Sequence, residues 1–155
     1  MSDCMECIFC DIAYGGAKHY KIYEDRNYLG ILDAFPNIKG QSLVIPKRHI
    51  PSYAFDLDDT TLSEFMSSTK RVAKILEKGL GVKRVHMVLE GTEVDHLHAK
   101  LYPAIGFQGE GSVIADKEAS FESYPGFITT LHGPRADDAS LAEIAAEIRK
   151  KSSIF

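Results

Sequence analysis

The sequence predicts an α+β fold with a mainly antiparallel sheet. Short strand-like runs cluster as hairpins, one long helical pattern is inserted among them, and a second is appended, so regular strand–helix–strand alternation is missing. The 155 residues are 45% apolar, enough to bury one core, and suit a single domain spanning 1–155.

Each element has its own local signal. Residues 7–13 suit a short helical turn closed by Gly15 and Gly16. Two strands follow near 21–24 and 28–32, split by the charged turn Asp25-Arg26-Asn27, and a third covers 42–46, ended by Pro46. The longest helix is expected over 61–78. Thr61 and Glu64 form a capping box, Leu62, Phe65, Met66, Thr69, Val72, Ala73 and Leu76 recur at helical spacing, and Gly79 stops it. A strand over 85–89 alternates Val85, Met87 and Leu89 against His86 and Val88. In a strand over 96–101, His96, His98 and Lys100 share one face while Leu97, Ala99 and Leu101 share the other. Residues 105–111 form a glycine-rich loop, a strand precedes Pro125, and a last helix starts at Ser140, boxed with Glu143, and reaches Lys151.

Charge narrows the function classes. Eighteen basic against 22 acidic residues give a net charge of -4, which excludes broad nucleic-acid binding and leaves room for one nucleotide in a pocket. No apolar run reaches the roughly 18 residues that span a bilayer, and Asp3 and Glu6 stand where a secretory signal would be basic. A cytoplasmic protein that engages neither membrane nor nucleic acid is expected. Cys4, Cys7 and Cys10 crowd into the first ten residues. An odd, clustered count is a poor disulfide framework and reads better as metal ligands in a reducing compartment.

Two histidines and a lysine on successive same-face positions carry chemistry. Neutral imidazole is a nucleophile toward phosphorus and titrates near working pH, and a nearby cation stabilises charge on phosphate oxygens. An exposed polar strand face with accidental histidines is the plain alternative. The succession C-I-F-C-D-I, Y-E-D, L-D-A-F-P and G-Q-S-L-V-I-P-K-R-H-I, followed by E-G-T-E-V-D-H-L-H-A-K-L-Y-P, resembles the histidine triad (HIT) family in order and spacing. The resemblance is strongest over 7–103; residues 104–155 read as a C-terminal extension.

The resemblance implies a HIT-like fold and a nucleotidyl hydrolase or transferase. His98 matches the histidine that attacks the α-phosphate of a nucleoside ester, anhydride or phosphoramidate. His96 matches the first triad histidine, and Lys100 replaces the third. An ammonium has donors and no acceptor, so Lys100 is expected to clamp phosphate oxygens without shuttling protons; loss of activity is the alternative. Asp33 matches the acidic residue that accepts from the ribose hydroxyls, with Ala34 beside it, although capping a turn would also explain it. Phe9, Ile12, Ile31 and Leu43 match apolar positions that enclose the base. Gln41 stands where some relatives carry histidine, Thr92 and Glu93 where polar residues meet the phosphate or leaving group, and Leu89 where eukaryotic relatives carry asparagine. Cys7, Cys10, His49 and His96 match a structural zinc site found in several relatives, and Cys4 is expected to be a free thiol. His19, His86 and His132 have no motif context.

Hydrolysis of nucleoside phosphoramidates or related AMP conjugates is therefore the leading expectation. Dinucleoside polyphosphate hydrolysis, nucleotidyl transfer, and a zinc-stabilised nucleotide-binding module without turnover stand as alternatives. The resemblance also implies a homodimer.

Overall fold

In the computed structural model, which describes residues 6–152, the chain separates into two compact units, Met1–Gly111 and Ser112–Phe155. The first unit holds α1 (Ile8–Ala13), β1 (Lys21–Glu24), β2 (Tyr28–Leu32), β3 (Ser42–Pro46), α2 (Asp59–Leu80), β4 (Val85–Val88) and β5 (Ala99–Pro103). Its five strands form one sheet in the order β1-β2-β3-β5-β4, with every neighbouring pair antiparallel.

The register aligns one row of residues across four strands: Lys21 opposes Ile31, Ile31 opposes Leu43, and Leu43 opposes Lys100. Directly opposed residues share a face. Ile31 and Leu43 on this face pack with Phe9 and Ile12 of α1. Val44, Ala99 and Leu101 lie on the other face and pack with Phe65, Val72 and Leu76 of α2. The continuous apolar run of β3 is thus buried on both faces, which leaves the α1 face to build a pocket.

α2 begins two residues before its expected start. Asp58 is its N-cap: the carboxylate accepts from Thr61 N at 2.9 Å and from Thr61 Oγ1 at 2.7 Å, so Thr61 donates where a capping-box threonine would accept. The helix runs through Gly79 and ends at Gly81, whose φ of 67° lies in the left-handed region that favours glycine. Burial follows the expected stripe, with Phe65, Thr69, Val72 and Leu76 inside.

Two strands also differ from their expected bounds. β4 ends at Val88, and β5 starts at Ala99, leaving His96 and His98 outside the ladder. Leu97 N instead donates to Ile50 O at 2.7 Å, which draws the histidine segment off β3. The alternation nevertheless persists: Leu97 and Ala99 stay in the α2 cluster, while the His96 and His98 rings face Phe9.

The second unit contains α3 (Asp138–Ser152). Asp137 accepts from Ser140 N at 2.9 Å and from Ser140 Oγ at 2.6 Å, so this helix starts before Ser140 and is capped by a carboxylate rather than by a serine box. Among the described residues of this unit the strand expected before Pro125 does not form; the unit holds only an isolated bridge between Glu118 and His132. A short alternating run without a partner strand forms no ladder.

Gly30 marks a close helix–sheet approach: a Cβ there would lie 2.9 Å from Val72 Cγ2 and 3.0 Å from Tyr23 Cβ. Gly30→Ala is expected to cost about 1–3 kcal/mol by overpacking. Combined with Val72→Ala it should cost less than the two separate losses together, as read from urea unfolding. Strict additivity would mean that the helix does not press on this strand.

Candidate active site and metal-ligand cluster

A cavity of about 460 Å³ opens on the α1 face of the sheet. Phe9 and Ile12 come to it from α1, Ile31 from β2, Leu43 from β3 and Lys100 from β5; Asp33, Ala34, Gln41, Glu93 and His98 complete the expected set. Thr92 is not part of the lining, and neither is His96.

His98 has both position and chemistry. Its Nδ1 lies 2.7 Å from the His96 carbonyl oxygen. A carbonyl oxygen only accepts, so Nδ1 carries the proton and the neutral ring bears its lone pair on Nε2. Burial pushes the imidazole below its usual value near 6.5, against the bond to His96 and the charges of Glu90 and Glu93. The ring is therefore neutral at pH 7.

Lys100 meets a partner to which sequence reasoning assigned no role. Its Nζ donates to Glu90 Oε1 at 2.9 Å, with both side chains at most one-fifth exposed. Burial alone would lower the ammonium, and the Glu90 hydrogen bond and charge outweigh it, raising Lys100 above its usual range. It is a fixed cation, unsuited to passing protons near neutrality.

Asp33 is braced rather than loose. One carboxylate oxygen accepts from Phe35 N at 2.8 Å, and the other accepts from Gln41 Nε2 at 2.7 Å. Gln41 is 4% exposed, and its Oε1 accepts from Asn37 N at 2.9 Å. Asp33 thus caps a turn and still keeps acceptor capacity for a diol, since each carboxylate oxygen offers two lone pairs. Gln41 orients it.

His96 sits behind this cavity. It is fully buried, and its Nε2 donates to Pro46 O at 2.9 Å. That bond leaves Nδ1 as the lone-pair nitrogen, 3.3 Å from Cys7 Sγ and 3.6 Å from Cys10 Sγ. His49 Nδ1 lies 3.5 Å from Cys10 Sγ, and the four donor atoms all fall within 4.8 Å of one another. A tetrahedral zinc with sulfur at about 2.3 Å and nitrogen at about 2.0 Å spaces its ligands roughly 3.3–3.8 Å apart. The donor set therefore fits a metal ion, and the Pro46 carbonyl supplies the outer hydrogen bond that orients a ligating histidine. One feature departs from the expected reduced cluster: Cys10 is disulfide-bonded, whereas Cys7 is a free thiol. A disulfide sulfur is not a thiolate, so metal loading requires reduction. Cys4 lies outside the described residues.

Several lining residues escaped sequence reasoning. Tyr102 follows Lys100 by two on the same strand face, a signal that strand alternation carried. Lys18, His19 and Tyr20 line the cavity from the segment before β1, where no motif marked them. A second groove, beside α2, is lined by Asp25, Ser68 and Arg71. There the Asp25 carboxylate accepts from Tyr23, Asn27, Tyr28 and Ser68, a brace for the β1–β2 turn.

With reductant present, one equivalent of zinc should bind. Saturation a thousandfold above Kd should stabilise the protein by about 4 kcal/mol, read as a rise in Tm of roughly 10 °C. Cys7→Ser combined with His49→Ala should abolish the rise, and the oxidised protein should not show it. Equal Tm with and without zinc in reduced protein would contradict the cluster.

Comparison with known proteins shows the family of the chain. The HIT-domain family model matches residues 15–103. An uncharacterized HIT-like protein of Methanocaldococcus jannaschii is 34% identical over 113 residues, covering 70% of this chain and 84% of that one. The adenosine 5'-monophosphoramidase of Schizosaccharomyces pombe is 32% identical over 100 residues, covering 64% and 74% respectively. A crystal structure of a Streptococcus mutans protein aligns with a TM-score of 0.67 at 26% identity, covering 94% of this chain and 85% of that one. The chain belongs to the HIT-domain family, with its α+β fold of a five-stranded antiparallel sheet and three helices.

Proposed function

We propose that the protein hydrolyses nucleoside phosphoramidates or related AMP conjugates through a nucleotidyl intermediate on His98. One observation carries this: the imidazole spends its Nδ1 proton on a backbone carbonyl 2.7 Å away and lines the same cavity as Asp33, which leaves Nε2 as the nucleophile. In the first step an Nε2–phosphorus bond forms, the bond from phosphorus to nitrogen breaks, and the amine leaves with a proton taken from solvent water. In the second, a water oxygen bonds to phosphorus and gives its proton to solvent, the Nε2 bond breaks with its electron pair returning to the ring, and a nucleoside monophosphate leaves.

The other residues divide the remaining work. Asp33, oriented by Gln41, accepts from the ribose hydroxyls, and the apolar residues around Phe9 and Ile31 enclose the base. Lys100 holds charge on the non-bridging oxygens, sharing its donors with Glu90. The carboxylates Glu90 and Glu93 act on both His98 and Lys100, which disfavours a polyanionic leaving group and favours an amine. The fission-yeast relative, by its name an adenosine 5'-monophosphoramidase, supports the same choice. On this reading any zinc is structural, because four protein donors fill its coordination shell. The unit works as a cytoplasmic homodimer.

A panel of an adenosine phosphoramidate and diadenosine tetraphosphate, run with wild type and His98→Ala, tests the proposal. Wild type should release AMP from the phosphoramidate and yield a trapped phosphorus adduct; His98→Ala should lose both, with turnover down at least about a thousandfold. Binding of AMP without any turnover would mark a binding module instead. The acid limb of kcat/KM should lie below pH 6.5, because the buried imidazole stays neutral until its lowered value is passed. A limb above 7 would contradict that.

Lys100→Gln should raise KM and lower kcat, together by about tenfold to a hundredfold in kcat/KM. Unchanged kinetics would remove the clamp from the mechanism.

A further inference from the structure

We propose that His19 reads the base of the bound nucleotide and selects an exocyclic amino group, as on adenine, over a keto oxygen. This assignment rests on the function proposed above, since it needs the phosphate at His98 and the ribose at Asp33. The cavity runs across the sheet along the row from Lys100 on β5 through Leu43 and Ile31 to the β1 edge. Three interstrand spacings separate its ends, about 14 Å, comparable to an extended nucleoside monophosphate. His98 and Lys100 stand at one end. Asp33, directly after β2, stands between. The segment 18–20 stands at the other end, held beside β2 by the bond from Leu32 N to Tyr20 O at 2.9 Å. A nucleotide with phosphorus at His98 and its diol at Asp33 therefore turns its base toward His19.

That end of the cavity is walled by Ile12, Ile31 and Leu32. Apolar walls hold the faces of any base and leave its edge to be read by polar groups. His19 Nδ1 lies 3.0 Å from Ala17 O. The carbonyl accepts, so Nδ1 carries the hydrogen, which leaves Nε2 as the ring's acceptor. Among the described residues Nε2 has no hydrogen-bond partner, and no side-chain nitrogen or oxygen is sealed away without one, so this acceptor is open to a ligand. The neighbouring cation, Lys18, lies over the Tyr20 ring at 5.5 Å. An amino group at position 6 of a purine donates to such an acceptor. A keto oxygen there sets lone pair against lone pair and leaves both unsatisfied.

Calorimetric titration of the full-length protein with AMP and with IMP tests the assignment, because the two differ at the purine 6-position and its adjoining proton. Wild type should bind AMP about five- to tenfold more tightly than IMP. His19→Phe keeps an aromatic ring and removes the acceptor; it should weaken AMP by that factor, leave IMP unchanged and abolish the preference. A thermal melt confirms that the variant folds, and the wild-type comparison stands without it. Equal affinity of wild type for AMP and IMP would overturn the role of His19 while leaving the His98 chemistry intact. Failure of either nucleotide to bind would bring down both.

Discussion

The site depends on one hydrogen bond, from His98 Nδ1 to the carbonyl of His96 at 2.7 Å. It fixes which nitrogen bears the lone pair and where the ring points. The bond is only as rigid as the peptide that supplies the carbonyl. That peptide is held twice: Leu97 N donates to Ile50 O, and the His96 ring donates to Pro46 O. Two backbone carbonyls thus set the tautomers of two successive histidines in opposite senses. His96 presents Nδ1 to the cysteines, and His98 presents Nε2 to the cavity.

Burial makes this arrangement effective and demands that it be complete. Both histidines are at most 4% exposed, and an unpaired buried nitrogen costs about 1–3 kcal/mol. No described buried side-chain nitrogen or oxygen lacks a partner. Phe9 contacts both rings, at 5.7 Å from His96 and 5.0 Å from His98, so one residue of α1 serves as packing between the metal-ligand cluster and the cavity. A metal ion that ties Cys7 and Cys10 to His49 and His96 would hold α1, and hence Phe9, against the sheet. In that way a structural ion would support the chemistry without touching the substrate.

Much of this was legible in the chain because it follows from period and spacing. Strands β1 to β3 fall where turn residues bound apolar runs, and the same-face placement of His98 and Lys100 follows from alternation alone. What escaped has physical reasons. Helix starts shifted because Asp58 and Asp137 accept from residues that themselves resemble caps, and a carboxylate outcompetes a hydroxyl for those donors. The histidine segment left the ladder because Leu97 bonds to Ile50, a contact across the fold that no local pattern encodes. The bond of Glu90 to Lys100, and the bond by which the expected site residue Gln41 orients Asp33, depend on which groups meet in space. Spacing could nominate Lys100 but could not show that Glu90 already engages it.

The most direct test of the account is the nitrogen NMR signature of His98 at pH 7 in protein labelled with nitrogen-15. The account predicts a neutral ring protonated on Nδ1, with an unprotonated Nε2 that shifts when a substrate analogue binds. A proton on Nε2, or a doubly protonated imidazolium at that pH, would contradict it, because neither leaves a lone pair directed at phosphorus.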